Sequence, residues 1–128
     1  MIVSAASSGT QSTNSGSWAA MPSLTITLPG AVGESALLIL NVPNPYASGN
    51  DFPGGNFAIA VNGTVQAPYA SFTYNEQQPQ STGRIPTTLT VTVMLNSTGS
   101  TTVQAMWSGV RGSTVHIDSP ATLTGIIA

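Results

Sequence analysis

Apolar and polar residues alternate along most of the chain with a period of two, which is the period of β-strands. Strict alternation predicts half-buried strands at Leu24–Leu28 and Thr87–Leu95. The continuous apolar run Ala36–Val42 is short enough to be a core strand buried on both faces. Further short runs rich in β-branched and aromatic residues predict strands at 57–61, 65, 71–74, 102–107, 114–117 and 121–127.

Glycine, proline and asparagine mark the turns between these strands. Asn62-Gly63 predicts a type I′ hairpin turn, because both of its central positions need a positive φ. Residues 96–99 predict a second turn. The segment 43–55 holds three prolines and three glycines, which excludes a helix or a central strand there. Long loops of this kind commonly carry binding groups, and residues 75–86 form another polar loop.

The pattern therefore predicts eight or nine short strands and no helix. We expect an all-β protein with an antiparallel β-sandwich, most simply a jelly roll, in one domain of residues 1–128. Residues 5–17 are rich in Ser, Gly, Thr, Gln and Asn, which predicts a flexible or loosely attached arm. Ile2-Val3 can still add a short strand before it.

Charge is scarce in this chain, and its scarcity excludes several functions. Only 5% of the residues are charged, the formal net charge is −2, and the two cationic residues are Arg84 and Arg111. A nucleic-acid binder would need a basic surface, and attachment to anionic membrane would need a polybasic segment. A surface with so little charge is typical either of a closed oligomer or of a neutral, polar exterior.

Composition also limits metal chemistry and location. The chain has no cysteine and one histidine, so it contains neither a disulfide framework nor a multi-histidine zinc site. No apolar run approaches the ~20 residues of a transmembrane helix. Residues 1–6 lack the positive region and apolar run of a Sec signal. We expect a soluble protein whose export route is not visible in this sequence.

The two arginines are the first candidates for ligand contacts. A guanidinium presents several donors in a rigid fork, which can pair with two neighbouring hydroxyl oxygens of a sugar. Hydroxyl groups on nearby serine and threonine residues can both donate and accept, and tyrosine rings offer a flat apolar face. The candidates of these two kinds are Thr73, Ser81, Thr82, Tyr46 and Tyr74. The alternative is that each arginine pairs with an acid such as Asp118 or Glu76 and only holds loops together.

His116 and Asp118 form the second candidate group. They lie two residues apart on a predicted strand, so both side chains point to the same face. Three roles are open: part of a catalytic triad, an aspartate-oriented histidine that braces a loop, or contact with the outer edge of a ligand. The nucleophile-elbow pattern Gly-x-Ser-x-Gly is absent, which disfavours the triad.

Calcium binding is a weaker hypothesis. Asn44, Asn50 and Asp51 could supply oxygen ligands from the proline- and glycine-rich loop. Asp51 is the only carboxylate of that loop, whereas calcium sites usually use more negative charge. We therefore expect neither a metal site nor any other cofactor.

Several segments together resemble a known lectin family. They are 41–54, Phe57-Ala58-Ile59-Ala60, Phe72-Thr73-Tyr74, Ser81-Thr82-Gly83-Arg84, Val110-Arg111-Gly112-Ser113 and His116-Ile117-Asp118-Ser119. In this order and spacing they are similar to the tumour-necrosis-factor-like (TNF-like), fucose-binding N-terminal lectin domain of a Burkholderia superlectin. The resemblance runs from about Leu38 to Ile127, and the first third of the chain shares only the strand pattern.

The resemblance implies a TNF-like jelly roll that forms a homotrimer with calcium-independent L-fucose sites between protomers. It implies that one protomer contributes Tyr46, Ser81, Thr82 and Arg84, and that its neighbour contributes Thr73, Tyr74 and Arg111. His116 and Asp118 would lie at the rim. Asn56, also at the rim, stands where the family has a tyrosine, a difference that could change which extended glycans fit.

The expected function is accordingly non-enzymatic binding of terminal L-fucose on glycans outside the cell, on host or other surfaces. Fucosylated glycans and other copies of the chain are the expected partners, without nucleic acid or membrane insertion. The main alternative is a structural or adhesive trimeric jelly-roll module without sugar specificity. A hydrolase that uses His116 and Asp118 is a remote third possibility.

Overall fold

The computed structural model describes residues 1–76, 80–95 and 99–127. These residues form strands joined by turns and loops, and they include no helix, so no helix of theirs is long and apolar enough to cross a membrane. The strands are β1 (Ile2–Ala6), β2 (Gln11–Thr13), β3 (Ala19–Leu28), β4 (Glu34–Val42), β5 (Tyr46–Ser48), β6 (Gly54–Val61), β7 (Thr64–Val65), β8 (Ala70–Thr73), β9 (Thr87–Leu95), β10 (Thr101–Val110), β11 (Thr114–Ile117) and β12 (Thr122–Ile127).

The strands form three antiparallel sheets. The first sheet has the order β1-β12-β4-β9, and the second has the order β3-β10-β6-β7, with β8 also paired to β6. A smaller sheet, β2-β11-β5, lies beside them. This arrangement confirms the all-β class and the antiparallel sandwich, in which strands that follow one another in sequence often belong to different sheets.

The core lies between the two large sheets and follows the period-two pattern of the sequence. Trp107 and Phe57 are its largest side chains, and both are almost fully buried. In β3 the buried residues Leu24, Ile26 and Leu28 alternate with exposed threonines, as predicted. Each large apolar side chain buried in this way contributes roughly 1.5–3 kcal/mol.

The structure differs from the prediction for Ala36–Val42 in one respect. Ala36, Leu38, Leu40 and Val42 point into the core, but Leu37 on the opposite face of β4 is 38% exposed. The outer face of the β1-β12-β4-β9 sheet therefore carries apolar side chains that this chain does not cover by itself.

The predicted turns have mixed outcomes. Asn62 and Gly63 have φ values of 49° and 84°, and Val61 pairs with Thr64, so the type I′ hairpin is confirmed. The predicted turn at 96–99 falls largely on residues 96–98, which lie outside the described residues. The predicted return over 65 and 71–74 is divided into β7 and β8, and both strands pair with β6.

The predicted loose arm at 5–17 is wrong. β1 pairs with β12 from Ile2 to Ala6, and β2 pairs with β11. Between these strands, the buried Ser7 donates its N–H to the Ala121 carbonyl and accepts the Ala121 N–H at its hydroxyl, both at 2.9 Å. Hydrogen bonds of the backbone hold this polar segment in place, and such bonds cannot be predicted from amino-acid composition.

β3 begins at Ala19, five residues before the predicted start, and a β-bulge explains its length. The pairing of β3 with β10 shifts register between Gln104 and Met106, and Ser23 takes a positive φ of 65°. The Gln104 side-chain amide donates to the carbonyls of Met21 and Leu24 at 3.0 and 2.9 Å. The Gln104 side chain therefore donates hydrogen bonds to two carbonyl groups of β3 at the bulge, where the regular pairing with β10 is interrupted.

Glycines allow the small sheet to approach β6 and β10. A Cβ on Gly109 would lie 2.0 Å from the Ser113 carbonyl oxygen, and one on Gly55 would lie 2.7 Å from a Val115 methyl group. Ser113 and Val115 lead into and form part of β11, which carries His116. β11 can therefore take this position only because Gly55 and Gly109 have no Cβ atom.

We expect Gly109→Ala to destabilise the fold by about 2–3 kcal/mol, because the new methyl group would collide with backbone rather than with a movable side chain. Gly16→Ala is the matched control, since a Cβ there has no atom within 4 Å and Gly16 does not have a positive φ. Chemical denaturation measures both variants. Equal stability of the two would contradict the close approach.

Candidate functional site

The candidate site is built on the pairing of β5 with β11. In this register Tyr46 lies opposite His116. Their rings stack with centroids 4.6 Å apart and an interplanar angle of 11°. The Ser48 hydroxyl is 2.9 Å from Nε2 of His116, so each ring position is fixed by a neighbour on the paired strand.

The segment Ser81–Arg84 runs beside β5 and is fixed to it by backbone contacts. Ser81 forms an isolated β-bridge with Ser48. Thr82 donates its N–H to the Ala47 carbonyl, and its hydroxyl accepts the Ala47 N–H, both at 2.8 Å. Thr82 is buried as a result, and its hydroxyl is committed to the backbone.

Arg84 contacts Asp118, Asn44 and the Tyr46 ring. Its two terminal nitrogens donate to the two carboxylate oxygens of Asp118, each at 2.8 Å, and one of them also donates to the Asn44 carbonyl at 3.2 Å. The guanidinium carbon lies 4.7 Å from the centroid of the Tyr46 ring. The alternative that an arginine pairs with Asp118 is therefore confirmed for Arg84.

This ion pair lies at the surface, where its contribution to stability is small. The side chains of Arg84 and Asp118 are 44% and 36% exposed. Exposed pairs typically contribute about 0–1 kcal/mol, because water screens them and two long side chains lose freedom. A ligand with suitable hydroxyl groups could therefore replace part of the pairing at low cost.

His116 has a lowered pKa. Burial against its neighbours lowers the pKa of His116 below the usual 6.5, and the Asp118 carboxylate partly opposes this by raising it. Asp118 directs both oxygens to Arg84, whereas His116 contacts Ser48. The chain of hydrogen bonds from carboxylate to imidazole to hydroxyl that a catalytic triad requires is not formed.

Tyr74, the residue that follows β8, belongs to the same cluster. Its phenolic oxygen accepts the Gly83 N–H at 2.7 Å, so one chain already brings Tyr74 against the Ser81–Arg84 segment. A cavity of about 320 Å³ opens beside Tyr74, Asn75 and Glu76. The cluster thus borders a recess large enough for a small ligand.

A second group lies around the segment 51–54. Arg111, which has a positive φ of 47°, donates to the carbonyls of Asp51 and Phe52 at 3.1 and 2.7 Å. Its guanidinium carbon lies 5.5 Å from the centroid of the Phe52 ring. Thr73 pairs with Gly54 at the other side of this segment and is exposed.

The structure therefore divides the predicted residues into groups. Tyr46, Ser81, Thr82, Arg84, Tyr74, His116 and Asp118 lie in one cluster, which we call the Arg84 cluster. Thr73 and Arg111 lie against segment 51–54. Asn56 contacts neither arginine in the described structure but bonds to Ser71 and Ser108.

Ser48 and Phe52 contact the predicted site residues but were not themselves predicted as site residues. Ser48 is two residues from Tyr46, so the strand period would have placed both on the same face had β5 been recognised. Phe52 contacts Arg111 across 59 positions of sequence, and no local pattern signals that contact.

Among the residues that the structure describes, no group of three or more histidine, cysteine, aspartate or glutamate side chains is arranged to hold a metal ion. The groups gathered at the Arg84 cluster are a guanidinium, an imidazole, hydroxyl groups and one carboxylate, and both oxygens of that carboxylate accept from Arg84. This donor set suits a neutral polar ligand better than a metal.

Aromatic rings, a guanidinium fork and hydroxyl groups on a β-sandwich are the groups with which carbohydrate-binding proteins contact sugars. The particular family follows from the sequence as a whole. The model of the family "Bc2l-C, N-terminal domain" matches residues 8–126, and the chain belongs to this lectin family. No curated protein matches the chain.

Solved structures show weak similarity over most of the chain. Latent PorU from Porphyromonas gingivalis has a TM-score of 0.49 at 15% identity, and the match covers 90% of this chain and 10% of the PorU chain. Insecticidal delta-endotoxin Cry8Ea1 from Bacillus thuringiensis has a TM-score of 0.44 at 16% identity, with coverages of 93% and 19%. The CBM36-1 domain of a multidomain xylanase from the hindgut metagenome of Trinervitermes trinervoides has a TM-score of 0.44 at 12% identity, with both coverages at 96%. Likenesses at this level carry no conclusion about function.

We expect the imidazole of His116 to titrate with a midpoint below pH 6.5, and Asp118→Asn to lower this midpoint further because it removes the carboxylate that raises the pKa. His116 is the only histidine, so NMR follows its ring protons directly. Folding favours the neutral ring, so the stabilisation from this site is present above pH 6.5 and is lost as the pH falls below that value. Glu34→Gln, on β4, is the control, and a higher midpoint in Asp118→Asn would show that the assignment is wrong.

Proposed function

We propose that this lectin binds terminal L-fucose on glycans, without calcium and without catalysis, at sites between the protomers of a homotrimer. The observation that carries the proposal is the Arg84 cluster. There an exposed guanidinium lies over the Tyr46 ring beside His116, with hydroxyl groups of Ser48 and Ser81 nearby. Neighbouring hydroxyls of a deoxy sugar can pair with such a fork and with these hydroxyl groups.

The two arginines are held by different loops, although Tyr74 contacts both groups within one chain through its N–H to the Pro53 carbonyl and its phenolic oxygen to Gly83. Arg84 is held by Asp118 and Asn44, and Arg111 is held by Asp51 and Phe52. If the Arg84 cluster of one protomer faces segment 51–54 of its neighbour, both arginines reach one sugar. Tyr74, which contacts Gly83 within one chain, then lies close to both groups.

The outer face of the β1-β12-β4-β9 sheet supports self-association. By strand alternation, none of the described side chains on this outer face is charged, and Ile2, Leu37 and Met94 are 70%, 38% and 61% exposed. Ile2, Ile126 and Leu37 form one row across three strands. Burial of this row in an oligomer would also cover the second face of β4, as the sequence predicts.

Calorimetric titration with α-methyl-L-fucoside in the presence of a chelator tests the sugar specificity. We expect saturable binding near one sugar per chain, and at least about tenfold weaker binding for Arg84→Ala, because a charge-assisted donor pair is lost. Arg84→Lys, which keeps the charge but loses the fork, should bind weakly as well. No heat at millimolar sugar from a folded protein would rule out fucose as the ligand.

Leu37→Asp should shift the protein from trimer towards monomer, because each copy would place a desolvated carboxylate in the interface. Thr27→Asp on the exposed face of β3 is the matched control and should remain trimeric. Sedimentation velocity gives the oligomeric state of both. A trimer that survives Leu37→Asp would mean that another face associates.

The uncharged sheet face also favours the second candidate function, a structural or adhesive trimeric module without sugar specificity. Arg111→Ala distinguishes the two functions. Loss of fucoside binding by an intact trimer supports the lectin site, whereas loss of the trimer itself supports the structural role. For the lectin we propose action outside the cell on host or surface glycans, where three sites on one rigid body would raise avidity.

A further inference from the structure

The Arg84 cluster leaves one group of aromatic and polar side chains on the second sheet without a role. Trp18 and Tyr69 meet edge to face, with ring centroids 5.3 Å apart and an interplanar angle of 77°. Trp18 precedes the first residue of β3, and Tyr69 precedes the first residue of β8. Since β10 and β6 lie between these strands, the two rings meet over the middle of the sheet.

The rings lie on the outer face of this sheet. Phe57 and Ile59 of β6 point into the core, so Asn56 and Ala58 point outwards by strand alternation. Ala58 is nevertheless fully buried. The aromatic pair crosses the sheet near this position.

A row of neutral polar groups runs across the sheet beside the rings. Asn56 pairs with Ser108 on one side and with Ser71 on the other. The Asn56 amide donates to the Ser108 hydroxyl at 3.0 Å, and its oxygen accepts a hydrogen bond from the Ser71 hydroxyl. These bonds fix the amide and leave it a second N–H, while the exposed Ser71 oxygen can still accept.

Tyr69 remains 55% exposed although Trp18 holds its ring. An exposed aromatic ring fixed in orientation, next to fixed amide and hydroxyl groups and without charge, matches the chemistry of a neutral sugar. The apolar face of a pyranose packs on such a ring, and its hydroxyl groups exchange hydrogen bonds with such neighbours. A charged ligand would find no partner among these five side chains.

β8 connects this surface to the Arg84 cluster. Thr73 and Ser71 are exposed, and they alternate with Phe72, whose ring stacks on Phe57 inside the sandwich. Tyr69, Ser71 and Thr73 therefore follow one another on the same face, and the next residue, Tyr74, accepts the Gly83 N–H. Tyr69 and Thr73 are four residues apart, about 13 Å of strand, so the row spans a few sugar units and ends next to the residue that contacts the cluster.

We propose that the outer face of β8, with Tyr69, Ser71, Asn56 and Trp18, is a second saccharide contact surface. It binds the residues of a neutral oligosaccharide that follow the terminal sugar held at the Arg84 cluster. This inference rests on the proposed function, because the terminal sugar fixes one end of the chain. The surface selects longer glycans over the free monosaccharide.

The test compares α-methyl-L-fucoside with a neutral tetrasaccharide that ends in L-fucose, by calorimetry on the wild type and on Tyr69→Ala. We expect Tyr69→Ala to bind the tetrasaccharide about 3- to 10-fold more weakly, the loss typical of one aromatic contact, and to bind the monosaccharide unchanged. Tyr69→Phe keeps the ring and should bind both sugars like the wild type. Val32→Ala, which removes a side chain of similar exposure from the turn between β3 and β4, should also leave both affinities unchanged.

Other results of these titrations would contradict either the second saccharide surface or the proposed function. If Tyr69→Ala leaves the tetrasaccharide affinity unchanged, or weakens both sugars equally, the surface does not contact the glycan and the inference is wrong while the fucose site stands. If the folded wild type binds neither sugar, the proposed function fails and the inference fails with it. Thermal unfolding of each variant confirms that the compared proteins are folded.

Discussion

The backbone of Ala47 exchanges two hydrogen bonds with Thr82, and the candidate site depends on this exchange. The contact is buried, so breaking it would leave three backbone groups and a hydroxyl without these partners, at a cost of about 1–3 kcal/mol for each unsatisfied group. It holds the Ser81–Arg84 segment beside β5, while β11 holds the same short strand from the other side. A guanidinium, an imidazole and a phenol therefore meet at fixed positions, although their residues are far apart in the sequence.

The strand pattern could be predicted because burial on one face imposes a period of two. The alternation in β3, β9 and β10 and the Asn62-Gly63 turn carry that information locally. The pattern failed where backbone bonds rather than side chains hold the strand. β1, β2 and β5 are short, polar or flanked by proline and glycine, so their composition resembles that of loops.

The residues of the site could be named from the sequence, but their contacts could not. Hydroxyl, tyrosine and arginine residues in polar loops indicate a sugar, and the resemblance to a lectin family selects among them. The pairing of Arg84 with Asp118 was one of two open alternatives, and the stacking of Tyr46 on His116 depends on the register of β5 and β11. Such registers are set by long-range sheet pairing, which a single sequence does not encode in any local pattern.

Because β1 is only partly buried, it affects the local opening of the domain. It covers the edge of β12, and none of its five side chains is fully buried: Val3 and Ala5 are partly buried against the core, whereas Ile2 and Ala6 are exposed to solvent. Segments with few buried contacts open at a lower free energy than the whole domain. Each opening would uncover the hydrogen-bonding edge of β12, which is an acceptor for the β1 of any neighbouring copy. Exchange of β1 between copies would then link two domains without any change to the core.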